Sequence, residues 1–352
     1  MEGLADRFEP SLCEIYARLF AQVIAHIDSP LEPGALVERY DRVRRPRRVS
    51  GNPQRVYVLS RVTLGADVAV TSVLLAAVKE RFPGAELYFV GPRKNYELFA
   101  ADPLILPAFL EYRRGTLVER LAAAAELKKL LREPGTLVLD SDSRLTQLGL
   151  IPVCDEDRYH LFESRAFGGT SDRSLPELAA EWVRETLGVT GAKPFVALEA
   201  GREPGPQIAV SLGVGENEAK RLPDPFEEEL LKLLAETGLT IGIDMGAGGA
   251  EAERVRCAMA RSGVEAQFWT GSFAGFANWI AGSRLYVGYD SAGQHVAAAC
   301  GVPLISVFAG FPCPRMFERW RPNGGKATVI RVDRPDPKEI LARVREALKS
   351  YV

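Results

Sequence analysis

The chain has 352 residues, of which 47% are hydrophobic, and its formal net charge is -2 at pH 7. That length exceeds one typical core and suits two domains. The nearly balanced charge argues against a nucleic-acid partner, which usually selects a basic excess. Five scattered cysteines without a Cys-x-x-Cys pair predict neither a disulfide framework nor a zinc site.

Nothing in the sequence predicts membrane insertion or export. No run of 18 or more residues is apolar, and the first residues lack the basic-then-apolar order of a secretion signal. We therefore expect a cytoplasmic protein in a reducing compartment.

The first fifty residues predict a helical extension. Apolar residues recur at helical spacing over residues 9–28, and they are Leu12, Ile15, Leu19, Val23 and Ile27. This helix can lie at a membrane interface, although packing on the first domain is the simpler interpretation. Five arginines between positions 42 and 48 can contact anionic lipid headgroups or a phosphorylated acceptor, or they can form a solvated linker.

Residues 51–193 read as a first Rossmann-like domain. Strands are predicted at 55–60, 86–90 and 136–140, and helices at 67–82, 117–132 and 176–187. A stretch rich in glycine and proline, 188–206, follows and marks the domain boundary, with a short strand expected at 195–199.

Residues 194–335 repeat the alternation. The predicted strands are 207–212, 239–244, 284–288 and 303–308, and the predicted helices are 224–237, 250–262 and 292–300. A C-terminal helix closes the chain within 336–352. Two such halves predict an α/β fold with two parallel sheets, and ligands at the carboxyl ends of the strands, facing a central cleft.

The segment after the strand at 284–288 has the layout of a phosphate site. Asp290 and Ser291 turn the chain, and a helix of small residues begins at Ala292 and Gly293. A helix start presents unpaired N–H groups and partial positive charge, which suits a phosphate. His295, one turn in, can donate to a phosphoryl oxygen. The alternative is a helix cap with a partly buried histidine.

Two further turns carry candidate residues. After the strand at 207–212, Ser211 and Gly213 lead to Lys220, which can neutralise a diphosphate or can be an ordinary loop lysine. In the first half, Asp67 follows a strand and a glycine. It can deprotonate an acceptor hydroxyl, or it can cap the following helix.

Two weaker patterns have simpler interpretations. Asp140 and Asp142 form a D-x-D pair that some glycosyltransferases use to hold a metal, but a capping or structural role is favoured here. The segment 246–250 shares only part of a dinucleotide fingerprint, so a plain turn before a helix is favoured over a nicotinamide oxidoreductase.

In this order, several segments resemble the heptosyltransferase-like glycosyltransferases of lipopolysaccharide assembly. The matching stretches are Leu64–Asp67, Arg81–Val90, Lys220–Pro223, Asp290–His295 and Ala298–Pro303. The resemblance covers roughly residues 55 to 330 and implies a GT-B fold. It also implies an inverting transfer, without metal or other cofactor, from an ADP-heptose-like nucleotide-sugar to a cell-envelope glycan or glycolipid. An enzyme of this kind can contact the inner membrane peripherally.

The resemblance also implies roles for individual residues. Asp67 is similar to the acceptor-activating base, and Asp290 to a donor-sugar contact. The diphosphate contacts implied are Lys220, Ser291, Ala292, Gly293 and His295, and the loop with Thr270 and Gly271 is similar to the one that holds adenine through its backbone.

The sequence departs from the family pattern at three positions. Ala66 separates Gly65 from Asp67, Ala292 replaces a glycine, and Leu222 replaces a tryptophan. A catalytically silent relative that still binds nucleotide-sugars is therefore an alternative to an active transferase.

Overall fold

The computed structural model describes residues 2–28, 30–113, 115–201, 205–215, 217–246, 248–324 and 326–351. Its contacts divide the chain into two compact units. Unit 1 comprises Met1–Ala197 with Glu318–Trp320, and unit 2 comprises Leu198–Phe317 with Arg321–Val352. The N-terminal helices thus belong to unit 1 and the C-terminal helix to unit 2.

Unit 1 contains eight α-helices within its described residues and one parallel sheet. The helices are α1 (Glu2–Ala5), α2 (Pro10–Ile27), α3 (Pro33–Val43), α4 (Leu64–Ala66), α5 (Ser72–Arg81), α6 (Arg93–Tyr96), α7 (Leu117–Leu130) and α8 (Leu175–Leu187). The strands are β1 (Arg55–Leu59), β2 (Glu86–Gly91), β3 (Ile105–Phe109), β4 (Thr136–Asp140) and β5 (Tyr159–Leu161). Their order is β3-β2-β1-β4-β5, so the direction of winding reverses between β1 and β4.

Helix α2 is apolar on two faces, and the face that the spacing predicts as buried is the more exposed one. Leu19 and Ile15 keep 37% and 39% of their surface. The buried face carries Tyr16, Phe20 and Ile24, with alanines between them. These side chains join the core formed with β1, β4 and β5. Bulky rings alternating with small residues let the helix approach the sheet closely.

Three hydrogen bonds fix the N-terminal helices to the loops after β4 and β5. The Gln147 amide donates to the Tyr16 hydroxyl at 2.8 Å, and Arg39 donates to the Gly149 carbonyl at 2.8 Å. The Tyr40 hydroxyl donates to the Glu163 carboxylate, and burial raises the pKa of Glu163 to about 7. The extension therefore packs on unit 1, which is the simpler of the two interpretations of its sequence, while Ile15 and Leu19 stay exposed.

The helix predicted over 67–82 is interrupted at its start. Helix α4 is followed by a π-helical turn, Asp67–Thr71, and only then by α5. A π turn takes up one more residue than an α turn. It accommodates the extra Ala66 by which this chain departs from the Gly-Asp pattern.

Unit 2 has a six-stranded parallel sheet. Its strands are β6 (Ile208–Ser211), β7 (Ile241–Asp244), β8 (Gln267–Trp269), β9 (Leu285–Tyr289), β10 (Leu304–Phe308) and β11 (Ala327–Arg331). Its helices are α9 (Phe226–Ala235), α10 (Gly249–Ser262), α11 (Phe273–Gly282), α12 (Ala292–Ala299), the first part of α13 (Pro314–Trp320) and α14 (Pro337–Leu348). The order β11-β10-β9-β6-β7-β8 is that of a doubly wound dinucleotide-binding sheet, and winding reverses between β6 and β9.

One predicted strand is wrong. Residues 195–199 form no strand, because the Phe195 and Ala197 amides donate to the Ser72 hydroxyl and the Leu98 carbonyl instead of to a neighbouring strand. Among the described helices, none is both long enough and apolar enough to cross a bilayer.

The two faces of α2 give a matched test of its packing. Ile24 is fully buried, so Ile24→Ala should lower the free energy of unfolding by about 3 kcal/mol, whereas Leu19→Ala should cost less than about 1 kcal/mol. Urea unfolding followed by circular dichroism measures both. Equal losses would contradict the assignment of the buried face.

Candidate functional site

The candidate residues of unit 2 meet where its sheet reverses direction. Ser211 ends β6 and pairs in register with Gly288 of β9, and Asp290 and Ser291 directly follow β9. The carboxyl ends of neighbouring parallel strands share one edge, and ligands of such sheets bind at this reversal. The structure therefore brings Ser211 together with the turn at 290–291.

Lys220 joins this edge through an ion pair. Its ammonium lies 2.7 Å from Asp290 Oδ2 and donates to the Asp290 backbone carbonyl at 3.0 Å. The lysine ends a 3-10 turn, Glu218–Lys220, in the loop that follows β6. Because its side chain is 20% exposed and that of Asp290 is 6% exposed, the pair is largely shielded from water. A lysine that the sequence left ambiguous is thus held at the start of α12.

Gln294 is a site residue that the sequence analysis missed. It is fully buried in α12, its Nε2 donates to Asp290 Oδ1, and its Oε1 accepts a 2.5 Å hydrogen bond from the Ser306 hydroxyl. Asp290 therefore has Lys220 on one oxygen and Gln294 on the other. The chain Ser306–Gln294–Asp290 fixes the orientation of the carboxylate. The sequence signal for Gln294 was a polar residue within an alanine-rich helix.

The small residues at the start of α12 serve packing as well as access. A Cβ at Gly293 would lie 2.3 Å from the Tyr286 hydroxyl, so this glycine makes room for the tyrosine. Ser291 adopts an extended conformation before the helix, and its hydroxyl lies 3.4 Å from the Tyr286 hydroxyl. The N–H groups of Ala292 and its neighbours lie in the first turn, where no intrahelical partner is available.

His295 is neutral at physiological pH. It is 5% exposed, and its burial lowers the pKa to about 4, against the opposing effect of Asp290 and together with that of Lys220. One ring nitrogen lies 3.4 Å from the Gln294 amide nitrogen. Any contact of this ring with an anion is therefore a hydrogen bond from a neutral imidazole.

A second acidic residue lies beside the glycine-bearing loops. A Cβ at Gly213 would meet Glu251 Oε1 at 2.5 Å, and one at Gly246 would meet it at 2.3 Å. Glu251 is in the first turn of α10, and burial, followed by the charge of Asp244, raises its pKa. Glu251 was not predicted, because the partial dinucleotide pattern at 246–250 ends before it. Glu216 and Ala247 in these loops lie outside the described residues.

Thr270 and Gly271 lie further along the same edge, after β8. The Trp269 indole donates to the Ser272 carbonyl at 3.0 Å, and the Ser272 side chain caps α11. In the sheet, β8 is three strands from β9, a separation of about 14 Å. A ligand that contacts both ends of this edge must be extended.

In unit 1, Asp67 is buried and held by four donors. Its Oδ1 accepts from the Arg61 amide at 2.7 Å and from the Thr71 hydroxyl at 2.6 Å. Its Oδ2 accepts from the Ser60 hydroxyl and the Asn95 amide, both at 2.6 Å. Burial raises the pKa of Asp67, and these hydrogen bonds oppose the shift.

The D-x-D aspartates belong to separate hydrogen-bond networks. Asp140 accepts from the Thr146 and Tyr159 hydroxyls, each at 2.5 Å. Asp142 is paired with the Arg165 guanidinium at 2.6 Å and lies 3.6 Å from that of Arg61. Both carboxylates thus accept from protein donors, while Asp142 Oδ1 has no hydrogen-bond partner within the described residues.

The basic stretch at 42–48 is largely engaged within unit 1. Arg42 pairs with Glu156 at 2.8 Å, Arg44 pairs with Glu14 at 3.2 Å, and Arg47 donates to the Tyr159 carbonyl at 2.8 Å. Three of the five arginines are thus engaged by acceptors in unit 1, although the side chain of Arg42 remains 57% exposed.

The family of the chain follows from its sequence. Two doubly wound parallel sheets, one in each unit, are the architecture of the GT-B fold. A model described as glycosyltransferase family 9 (heptosyltransferase) matches residues 161–347, just over half of the chain. The chain belongs to this family and is a glycosyltransferase. No curated protein sequence matches it.

Solved structures show the same fold. A family 9 glycosyltransferase from Veillonella parvula is 14% identical with a TM-score of 0.61, covering 86% of this chain and 90% of that one. E. coli heptosyltransferase WaaC with ADP-2-deoxy-2-fluoro heptose is 17% identical with a TM-score of 0.60, covering 85% and 100%. E. coli ADP-heptose lps heptosyltransferase II is 19% identical with a TM-score of 0.57, covering 84% and 99%.

The lowered pKa of His295 predicts an acid-sensitive unit 2. A folded-state pKa of about 4, against 6.5 in the unfolded chain, gives stability that is lost as pH falls below 6.5. His295→Gln should therefore reduce the loss of unfolding free energy between pH 8 and pH 5 by roughly 2 kcal/mol. Urea titrations at both pH values measure it, with exposed His26→Gln as the control. An unchanged pH dependence in His295→Gln would refute a neutral buried histidine.

Proposed function

We propose that this protein is an inverting glycosyltransferase that moves a heptose-like sugar from an ADP-linked donor to a cell-envelope glycan or lipid, without a metal. The observation that carries the proposal is the Lys220 ammonium held 2.7 Å from Asp290 at the start of α12. Family membership supports the reaction class, and E. coli WaaC, a structural neighbour, was solved with an ADP-heptose analogue.

On the donor side, the reversal edge of unit 2 stabilises the leaving diphosphate. Lys220 and the first N–H groups of α12 provide positive potential for the charge that develops as the sugar–phosphate bond breaks. His295 adds a neutral hydrogen bond. Asp290, oriented by Gln294, is placed to accept from a hydroxyl of the donor sugar.

The remaining candidates extend this site toward the nucleoside. The Glu251 carboxylate beside Gly213 can accept from ribose hydroxyls, as acidic residues do in doubly wound sheets. The backbone at Thr270 and Gly271 lies about 14 Å along the edge and suits the base. The proposed donor is therefore extended, as an ADP-sugar is.

Metal independence is supported by how the D-x-D carboxylates are used. Tyr159 and Thr146 donate to Asp140, and Arg165 neutralises Asp142. A lysine and helix N–H groups then supply the electrostatic stabilisation that a metal provides in other transferases.

On the acceptor side, Asp67 is the proposed base. It takes the proton of an acceptor hydroxyl as that oxygen attacks the anomeric carbon, the bond to the β-phosphate breaks, and ADP leaves with its electron pair. Burial raises the pKa of Asp67, which brings its basicity closer to working pH. A carboxylate offers about four acceptor positions, and protein donors fill all four here, so one of them must give way to the acceptor.

A cytoplasmic location with peripheral contact at the inner membrane fits a cell-envelope acceptor. The internal pairing of Arg42 and Arg44 reduces the charge available for lipid headgroups. The outward apolar residues of α2, such as Ile15 and Leu19, are then the more suitable contacts.

The role of Lys220 predicts a loss of nucleotide affinity. Lys220→Met should weaken ADP binding by at least about tenfold, because a charge-assisted hydrogen bond to phosphate is removed. Lys232→Met is the matched control, since Lys232 pairs with Glu229 on the exposed side of α9. Isothermal titration calorimetry with ADP compares the three proteins. Equal affinities would rule out this lysine as a diphosphate contact.

The role of Asp67 predicts a loss of transfer without a loss of donor binding. Asp67→Asn should lower the turnover of ADP-heptose with cell-envelope lipid acceptors by about 10²–10⁴-fold, and should leave ADP affinity unchanged. ADP release and calorimetry give the two readouts. Wild-type turnover in the variant would show that another group is the base. Tight binding of ADP-heptose without turnover of any acceptor by the wild type would instead identify a silent nucleotide-sugar-binding relative.

A further inference from the structure

Of the four donors to Asp67, Asn95 is the one that follows strand β2 and not β1. It lies in α6, the single turn after β2, and is fully buried. Its Nδ2 donates to Asp67 Oδ2 at 2.6 Å. Within the described part of the chain, its Oδ1 has no hydrogen-bond partner. A buried side-chain amide whose nitrogen is hydrogen-bonded and whose oxygen is not calls for an explanation.

The other three donors are fixed by the local chain. The Arg61 amide belongs to the backbone of the turn after β1, and Thr71 lies one turn beyond Asp67 in the π-helical segment. The Ser60 hydroxyl also accepts from the Val62 amide at 2.8 Å, which holds it in place. Asn95 makes one hydrogen bond through its side-chain amide and can leave Asp67 without breaking a second one.

The orientation of the Asn95 amide depends on the charge of Asp67. An ionised carboxylate only accepts, so it requires the Nδ2 end of the amide. The reversed amide would set Oδ1 against the carboxylate, and two acceptors repel. The Nδ2–Oδ2 hydrogen bond favours the ionised form of Asp67 against the burial that disfavours it.

We propose that Asn95 is a positioning residue for the transfer: it keeps Asp67 ionised before the acceptor arrives and gives way to the acceptor hydroxyl at Oδ2. This inference rests on the proposed role of Asp67 as the base. With Asn95 displaced, one acceptor position of the carboxylate opens while Ser60, Thr71 and the Arg61 amide keep it in place.

A charged side chain, that of Arg61, also lies near Asp67. The Arg61 guanidinium interacts electrostatically with Asp67, Asp140, Asp142 and Arg165. A substitution at Asn95 changes none of these charges. A change in the titration of Asp67 in such a variant is therefore attributable to the lost amide.

The first test measures stability and needs no acceptor. Asn95→Ala removes a donor from a carboxylate that is ionised at high pH and protonated at low pH. Its melting temperature should fall about 5 °C below that of the wild type at pH 8, and the gap should narrow as the pH falls toward 4.5. Tyr96→Phe is the matched control in the same helix, because it loses one hydrogen bond, to the Ile105 carbonyl, and leaves Asp67 untouched. A gap as wide at pH 4.5 as at pH 8 would overturn the proposal.

The second test follows catalysis. The acid limb of ADP release from ADP-heptose should move up by about one pH unit in Asn95→Ala, because a base with a raised pKa loses its ionised form at higher pH. Asn95→Ser, which is too short to reach Asp67, should shift the limb in the same direction and serves if the alanine variant does not fold. A lowered rate with an unchanged acid limb of the pH–rate profile would show that Asn95 has only a structural role. Wild-type turnover in Asp67→Asn would instead contradict the proposed role of Asp67 as the base. The failure of the Asn95 proposal can therefore be distinguished from the failure of the proposed function.

Discussion

Parallel strands that are buried on both faces leave only the edge at their carboxyl ends for chemistry, and this constraint organises both units. In unit 1 the edge between β1 and β4 carries Asp67 and the turn at 141–143. In unit 2 the edge between β6 and β9 carries Ser211, Lys220 and Asp290. Each site thus lies where the winding of its own sheet reverses, which is where such folds bind ligands.

Buried charges are compensated in different ways at the two edges. In unit 2, Lys220 neutralises Asp290 and remains partly exposed, so an incoming anion can share it. In unit 1, Arg61, Asp142 and Arg165 form a buried network, and Arg165 also pairs with the partly exposed Asp6. Buried ion pairs of this kind add little net stability, but removing one partner leaves an uncompensated charge. The network therefore holds the turns after β1 and β4 in one arrangement.

Backbone strain is concentrated in those turns. Val62 and Asp142 have φ angles of 61° and 71°, a region that β-branched residues in particular avoid. The Ser60 hydroxyl accepts from the Val62 amide, and Arg165 holds the Asp142 side chain. Such strained conformations persist where the surroundings over-determine them, often beside functional groups. Here the two strained residues, Val62 and Asp142, lie close to the hydrogen-bond donors of Asp67.

Local sequence patterns predicted most of the sheets and part of the sites. Continuous apolar runs such as β1 and β10 were found because burial on both faces leaves a strong signal. Strand β3 contains Pro107, and β8 is short and half exposed, so neither carried that signal. The candidate residues after β9 were proposed from their turn and helix start, and their roles stay predictions. Gln294, Glu251 and Asn95 were missed because each acts through a contact that only the folded chain creates.

The anchoring of the N-terminal helices has a consequence for how the chain acquires its structure. Tyr16, Arg39 and Tyr40 bond to partners between 110 and 131 positions later in the chain. A nascent chain exposes α2 and α3 first, and their apolar faces stay uncovered until β4 and β5 have been synthesised. Closing so long a loop is entropically slow, so unit 1 completes its core late. The early helices of this protein thus wait for partners that are synthesised more than a hundred positions later.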